Sequence, residues 1–421
     1  MSDDSSNTTG SARPAGPALS RRMLLSAGAG LAGAAAILGT AAPAMASTEP
    51  DAQQAAANGR PGGARTALQR ADATWQAFAT YLLAPDGTDL AMPNYPRQPG
   101  DNPYAYEWPH SQVHVGALDL AGAQPGHASW ARLNAMSTGQ EHYWEPTSTT
   151  GLPGYASYVP APLGGGGDLF YDDNEWVGLE KVQLHLMTGD RAALQRAEQI
   201  FALVRSGWDT DASHPSPGGV FWTQASYGDS RNTCSNAPAA LIAARLYEIT
   251  RNSDYLAWAQ RIYDWTYNTL FDSTDSMYSD NISNAGTVTT MKWTYNQGMP
   301  IAAGVALYRL TNDPSYLRRS VQVAEASYDY YITQGQIANQ PLYFNSIYFK
   351  SLLYLESVTG ERKYFQAMAD YGDHIWTAYR DAATGLFAKD TPGVAQAIEQ
   401  GAAVQIYSAL AWDPRRWELL Y

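Results

Sequence analysis

The sequence predicts an all-α fold, an (α/α)6 toroid of six helical hairpins, on three observations. First, one turn phrase recurs: Leu186-Met187-Thr188-Gly189-Asp190, Tyr247 to Asp254 through Thr250-Arg251-Asn252, Tyr308 to Asp313 through Thr311-Asn312, and Glu356 to Glu361 through Thr359-Gly360. Each phrase reads as an apolar helix ending, a short polar turn, and an amphipathic helix opened by an acidic or Ser/Thr cap. The turns lie roughly 50 to 60 residues apart, the period of a repeated supersecondary unit. Second, helical segments alternate in composition. One set is rich in Ala, Gly and Leu, as close packing in an inner ring requires, and the other carries more charge. Third, strand-like alternation is scarce and no βαβ rhythm is present. An open helical solenoid would give the same hairpins.

Taken in order, residues 1–46 read as an export signal. Ser20-Arg21-Arg22-Met23-Leu24-Leu25 opens an Ala- and Gly-rich stretch, and Ala44-Met45-Ala46 fits a small-residue cleavage site. The paired arginines and mildly apolar core match a twin-arginine signal, which predicts secretion. The stretch is short and poor in large apolar residues for a membrane span, so no stable insertion of the mature chain is expected. Residues 47–65 read as a flexible linker and 66–421 as one folded domain. The inner helices are expected to begin near Trp108, Asp172, Asn232, Trp293, Tyr343 and Gly401. Their outer partners are placed at 66–83, 128–144, 191–206, 254–270, 314–333 and 362–380.

A net charge of −13 with only 16% charged residues argues against a nucleic-acid partner, which needs a basic footprint. The one cysteine, Cys234, excludes an intramolecular disulfide and reads as a small buried side chain. The seven histidines are scattered along the chain, and no metal and no cofactor are expected. The 13 Trp and 28 Tyr suit sugar binding, because indole and phenol rings stack on pyranose faces while their polar tips bond hydroxyls. A monomer is expected.

In a toroid the inner-helix starts share one mouth, and here they carry polar and aromatic clusters. These are Glu107-Trp108, Tyr171-Asp172-Asp173-Asn174, Asn232 with Asn236, Trp293 followed by Tyr295-Asn296-Gln297, and Tyr343-Phe344-Asn345. Together they describe a polar, aromatic-lined cleft. The adjacent aspartates have two readings. They can cap a helix start, or they can form the pair of a glycosidase, one carboxyl holding a proton beside an ionised neighbour. Five clusters at equivalent places favour the second. Glu175 reads as a solvated or intrahelical charge, and Gly164–Gly167 as a cleft rim. Asn296 and Gln297 are expected to meet sugar hydroxyls, with helix stitching as the alternative.

Four motifs in order resemble glycoside hydrolase family 76, the endo-α-1,6-mannanase family. They are Asp172-Asp173 with the helix ending in Thr188-Gly189-Asp190; Gly218-Gly219 with Trp222; Arg231-Asn232 with Asn236 and Ala243-Ala244-Arg245-Leu246; and Tyr295-Asn296-Gln297-Gly298. Phe221 stands where the family usually has a second Trp. The resemblance implies the toroid and retaining hydrolysis of α-1,6-linked mannose in mannan or a related polysaccharide, with Asp172 as nucleophile and Asp173 as acid/base. Substrate contacts are expected at Trp108, Trp222, Asn232, Asn236, Tyr295, Asn296 and Gln297. In a retaining enzyme the two carboxyls sit about 5–5.5 Å apart. Helix neighbours diverge by about 100°, so an irregular turn after the glycines is expected to bring both to one bond. The alternatives are a transglycosylase or another toroid glycosidase on a cell-wall glycan, and a carbohydrate-binding protein without catalysis.

Overall fold

The recurring turn phrase is a double cap. In the computed structural model, which describes residues 60–420, four inner helices end on a residue with left-handed backbone: Gly189, Arg251, Asn312 or Gly360. The threonine before it turns its hydroxyl back to the carbonyl four residues earlier, as Thr188 does to Leu184 at 2.7 Å. The same oxygen accepts the N–H that opens the next segment, as from Asp190 at 3.2 Å. Asp190, Asn252 and Asp313 then cap the outer helices through their side chains. These hairpins are therefore closed by local chemistry.

Twelve α-helices follow this plan. The inner ones are α2 (Glu107–Ala123), α4 (Tyr171–Thr188), α6 (Thr233–Thr250), α8 (Thr294–Thr311), α10 (Leu342–Thr359) and α12 (Ala397–Ala411). The outer ones are α1 (Arg60–Tyr81), α3 (His127–Glu141), α5 (Arg191–Ser206), α7 (Ser253–Leu270), α9 (Pro314–Tyr328) and α11 (Lys363–Ala378). Each inner helix packs on the next, and α12 closes on α2, so the hairpins form a ring rather than an open solenoid. The closing contact needs a glycine: a Cβ at Gly401 would lie 2.7 Å from the Gln112 carbonyl. Inner helices are buried on nearly all sides over their first turns, whereas outer helices bury one stripe.

Three boundaries differ from expectation. Helix α1 begins at Arg60, inside the stretch read as linker. Helix α12 begins at Ala397, four residues before Gly401, because Gln396 and Glu399 form a capping box. The outer segment expected to end at 333 leaves α-helical geometry at Tyr328 and finishes as a π-turn, Asp329–Thr333. The export signal and most of the linker lie outside the described residues. Among those described, no helix is long and apolar enough to cross a membrane.

One device fixes the connectors that lead into the ring. Four residues after the N-cap of α4, α6, α8 and α12 stands an amide: Asn174, Asn236, Gln297 or Gln400. Each accepts the N–H and donates to the carbonyl of a single connector residue. Asn236 does so with Val220 at 2.7 and 3.0 Å, and Gln297 with Tyr278 at 2.7 and 3.0 Å. Each also donates to its own N-cap carbonyl, Asn232 and Trp293 in these two cases. Asn174 holds Tyr155 and Gln400 holds Phe387 in the same way. In α2 the equivalent His110 accepts the Ala91 N–H at 3.3 Å. The latches satisfy backbone groups that would otherwise be buried without partners.

Candidate active site

Asp172 and Asp173 occupy the first regular turn of α4, directly after the N-cap Phe170. The expected irregular turn is absent: both residues lie within the regular helix. Asp172 is fully buried and turns toward α6. Its Oδ2 accepts the Trp222 indole N–H at 3.2 Å and the Cys234 thiol at 3.3 Å, and its Oδ1 accepts the Asp173 N–H at 3.0 Å. Asp173 is 5% exposed. Its charge acts on Glu107, the first residue of α2.

Glu107 is wholly buried, and Gln140 donates to its Oε1 at 2.6 Å. Burial raises its pKa well above the ordinary carboxyl value, and the Asp173 charge adds to that. Glu175, read from sequence as a solvated or intrahelical charge, is instead fully buried one turn below the pair. Burial, then the Asp172 charge, pushes its carboxyl well above the usual range. Neither Glu107 nor Glu175 makes a salt bridge among the described residues. The mouth thus holds Glu107 and Glu175 within the fields of Asp172 and Asp173, a setting that keeps protons on the two glutamates.

The predicted substrate contacts separate into three groups. Trp222 stands beside the pair, 9% exposed, with its ring edge-on to Phe170 at 4.9 Å. It reaches this place because its carbonyl accepts the Tyr171 N–H and its own N–H bonds the Ser230 carbonyl. Trp108 and Tyr295 join an aromatic floor across the ring. Trp108 meets Tyr343 at 5.3 Å and Phe344 at 6.0 Å, and Tyr295 stacks flat on Phe344 at 3.9 Å. Asn232 is the N-cap of α6 and accepts from Ser230 Oγ at 2.8 Å.

Asn236 and Gln297 are corrected. Both are fully buried and spend both amide N–H donors and an acceptor on backbone groups in the latches described above, which assigns them to the scaffold. Asn296, the immediate neighbour of Gln297, is different. It donates to Asp280 Oδ1 at 2.9 Å, while its own carbonyl oxygen is buried without a hydrogen-bond partner. Arg231 lies below the mouth, bonded to Asp209 at 2.7 Å. Sequence reasoning missed the Cys234 thiol as a donor to Asp172, for which adjacency in sequence gives no signal. It also missed the latch role, for which the recurrence of an amide at one helix position was available. Among the described residues no group of three His, Cys, Asp or Glu side chains is arranged to hold a metal ion.

Residues 130–390 match the profile of glycosyl hydrolase family 76. A mannan endo-1,6-α-mannosidase of Saccharomyces cerevisiae is 33% identical over 143 residues, 32% of this chain and 31% of its own length. Its Candida albicans counterpart is 28% identical over 145 residues, with 32% and 31% covered. The chain thus spans about a third of the length of these curated relatives. A family 76 mannosidase from Bacteroides thetaiotaomicron superposes with a TM-score of 0.73 at 24% identity, over 82% of this chain and 98% of that one. An inactive variant of a Salegentibacter α-1,6-mannanase, with two consecutive aspartates changed to asparagine and α-1,6-mannotriose bound, gives 0.65 at 18% identity over 82% and 99%. These likenesses agree on one fold, and with the profile spanning well over half of the sequence, the chain belongs to glycosyl hydrolase family 76.

Proposed function

We propose that the protein is an exported retaining endo-α-1,6-mannanase, with Asp172 as nucleophile and Asp173 as acid/base. The observation that carries this reading is the contrast within the pair. Asp172 accepts hydrogen bonds from an indole, a thiol and a backbone amide, which orient its carboxyl for attack. Asp173 is the more open of the two, at 5% exposure, and so the better placed to meet a leaving group. Asp172 attacks the anomeric carbon while Asp173 protonates the departing glycosidic oxygen. Asp173 then takes a proton from water, which releases the sugar from Asp172 with net retention.

The names of the fungal relatives support the α-1,6-mannan substrate, and the inactive double-asparagine mannanase supports a paired-aspartate mechanism. The twin arginines Arg21 and Arg22 support export with cleavage after Ala46. Only three large apolar side chains are exposed among the described residues, which supports a monomer.

The decisive experiment is proton NMR of the first products from an unbranched α-1,6-mannan. Oligosaccharides released with α-configured ends are expected. Inverted products would reject the roles given to the pair, and the absence of any cleavage or transfer would reject the activity. Lysine at both Arg21 and Arg22 is expected to trap precursor in the cell; normal secretion would reject the export route.

A further inference from the structure

Of the many aromatic side chains in the described residues, Tyr227 is the only one that is exposed, at 49%. Every other described Trp, Tyr and Phe is buried or half-buried. An isolated exposed tyrosine ordinarily needs no explanation. Tyr227 differs in being fixed in place, and in where it is fixed.

It sits in a tight turn in which the Gly228 N–H bonds the Ala225 carbonyl at 2.8 Å. That turn is tied at its base to the residues leading into α4: Gln224 N–H and Thr223 Oγ both donate to the Leu169 carbonyl, at 3.0 and 2.8 Å. The phenol donates to Asp168 Oδ2 at 2.7 Å, beside the Gly164–Gly167 rim. Partial burial and this carboxylate hold the phenol protonated, and the Asp173 charge contributes as well, so the ring lies within the field of the catalytic pair. A side chain of this size held by its hydroxyl has lost its rotamer freedom before any ligand arrives, which removes part of the cost of binding.

The geometry points to Tyr227 as a sugar-stacking platform on the cleft rim, a binding subsite for a hexopyranose ring next to the bond being cleaved. An anchored ring offers its face to the C–H side of a pyranose, and its hydroxyl is already occupied by Asp168. Recognition would therefore come from the flat apolar face, not from hydrogen bonding by the phenol. This inference rests on the proposed glycosidase reading.

The test is a kinetic series on α-1,6-mannotetraose with Tyr227→Ala, Tyr227→Leu, Tyr227→Phe and Tyr227→Trp. The alanine variant is expected to lose about tenfold in kcat/KM, chiefly through KM, from the lost stacking. Trp should restore wild-type values, Phe should fall between because it keeps the ring and loses the anchor, and Leu should behave like Ala. An unchanged melting temperature is expected throughout. Wild-type kinetics in the alanine variant, or full rescue by Leu, would overturn the platform. Calorimetric titration of a panel of pyranose oligosaccharides into the chain, with and without Tyr227→Ala, separates this from the reaction itself. Tyr227-dependent binding without cleavage sinks the mannanase and keeps the subsite. Cleavage with no dependence on Tyr227, or no Tyr227-dependent binding of any glycan, sinks the subsite.

Discussion

Glu175 and Glu180 lie on the same helix, both fully buried, and their acidities move in opposite directions. Glu175, near the mouth, is raised by burial and by the Asp172 charge. Glu180, further down the ring, is raised by burial too, but His114 and Lys181 overcome this and leave it below the ordinary value. The contacts explain the reversal: His114 Nδ1 lies 2.8 Å and Lys181 Nζ 3.2 Å from its oxygens. The neighbouring Asp119 pairs in the same region with Lys350 at 3.1 Å and accepts from Gln183 at 2.8 Å. Acids at the base of the ring lie against basic side chains, although burial still raises Asp119 and lowers His114 and Lys350, whereas those at the mouth lie near one another. The first arrangement ties helices together; the second leaves like charges opposed.

The largest test of this division is at the pair itself. Asp172→Asn or Asp173→Asn should cut mannan hydrolysis by at least about a thousandfold, read as reducing-end release. Either change removes one charge from a mutually repelling group, so calorimetry at neutral pH should give an equal or higher Tm. A fall in stability of the kind expected at the base would break the comparison.

The base should answer in the other currency. Asp119→Ala leaves the Lys350 ammonium buried without its carboxylate and should cost about 3–5 kcal/mol in urea unfolding. Hydrolysis by the folded fraction should persist. An apolar double replacement, Asp119→Leu with Lys350→Met, should recover most of the loss.

A latch should cost less. Gln297→Ala strips the Tyr278 N–H and carbonyl of their partner, for about 1–3 kcal/mol. Asn296→Ala should leave stability nearly untouched while lowering kcat/KM. Equal effects on Tm would show that both amides belong to the scaffold.

The finest distinction is the sign of a pH dependence. Glu175, with its folded value raised, contributes fully below the unfolded value of 4.5 and loses that contribution as pH rises through the folded value. Glu175→Gln should therefore gain on the wild type between pH 4.5 and alkaline pH. Glu180, with its folded value lowered, contributes above 4.5 and loses that contribution as pH falls through the folded value. Glu180→Gln should be most damaging at neutral pH and least in acid. Melting curves with the same slope of ΔTm against pH for both variants would erase the contrast.

The ring was legible because its hairpins are closed locally. Thr188, Gly189 and Asp190 act within a few residues of one another, so their sequence carries their structure. The adjacent aspartates were legible as a candidate pair because they stand side by side in the chain. The amides were not: Asn236 and Gln297 are spent on Val220 and Tyr278, each many residues upstream, and a mouth amide in sequence resembles a sugar contact whichever role it plays. Asn174 and Gln400 held the missing signal, since recurrence at one helix position in four hairpins marks a scaffold duty. Glu175 was misread because an inner helix is buried all round, and the stripe that normally separates buried from solvated faces does not exist there.

Because each latch grips only the main chain of its connector, it is indifferent to what side chain that connector residue carries. Val220, Tyr278, Tyr155 and Phe387 are held by identical bonds despite their different shapes. The connectors are therefore interchangeable parts plugged into a common socket. Loop segments could be grafted between hairpins, or lengthened beyond the gripped residue, without renegotiating the ring. Variation of that kind reshapes what lies over the mouth while the carboxyls stay where they are, which gives such a scaffold room to acquire new glycan preferences one connector at a time.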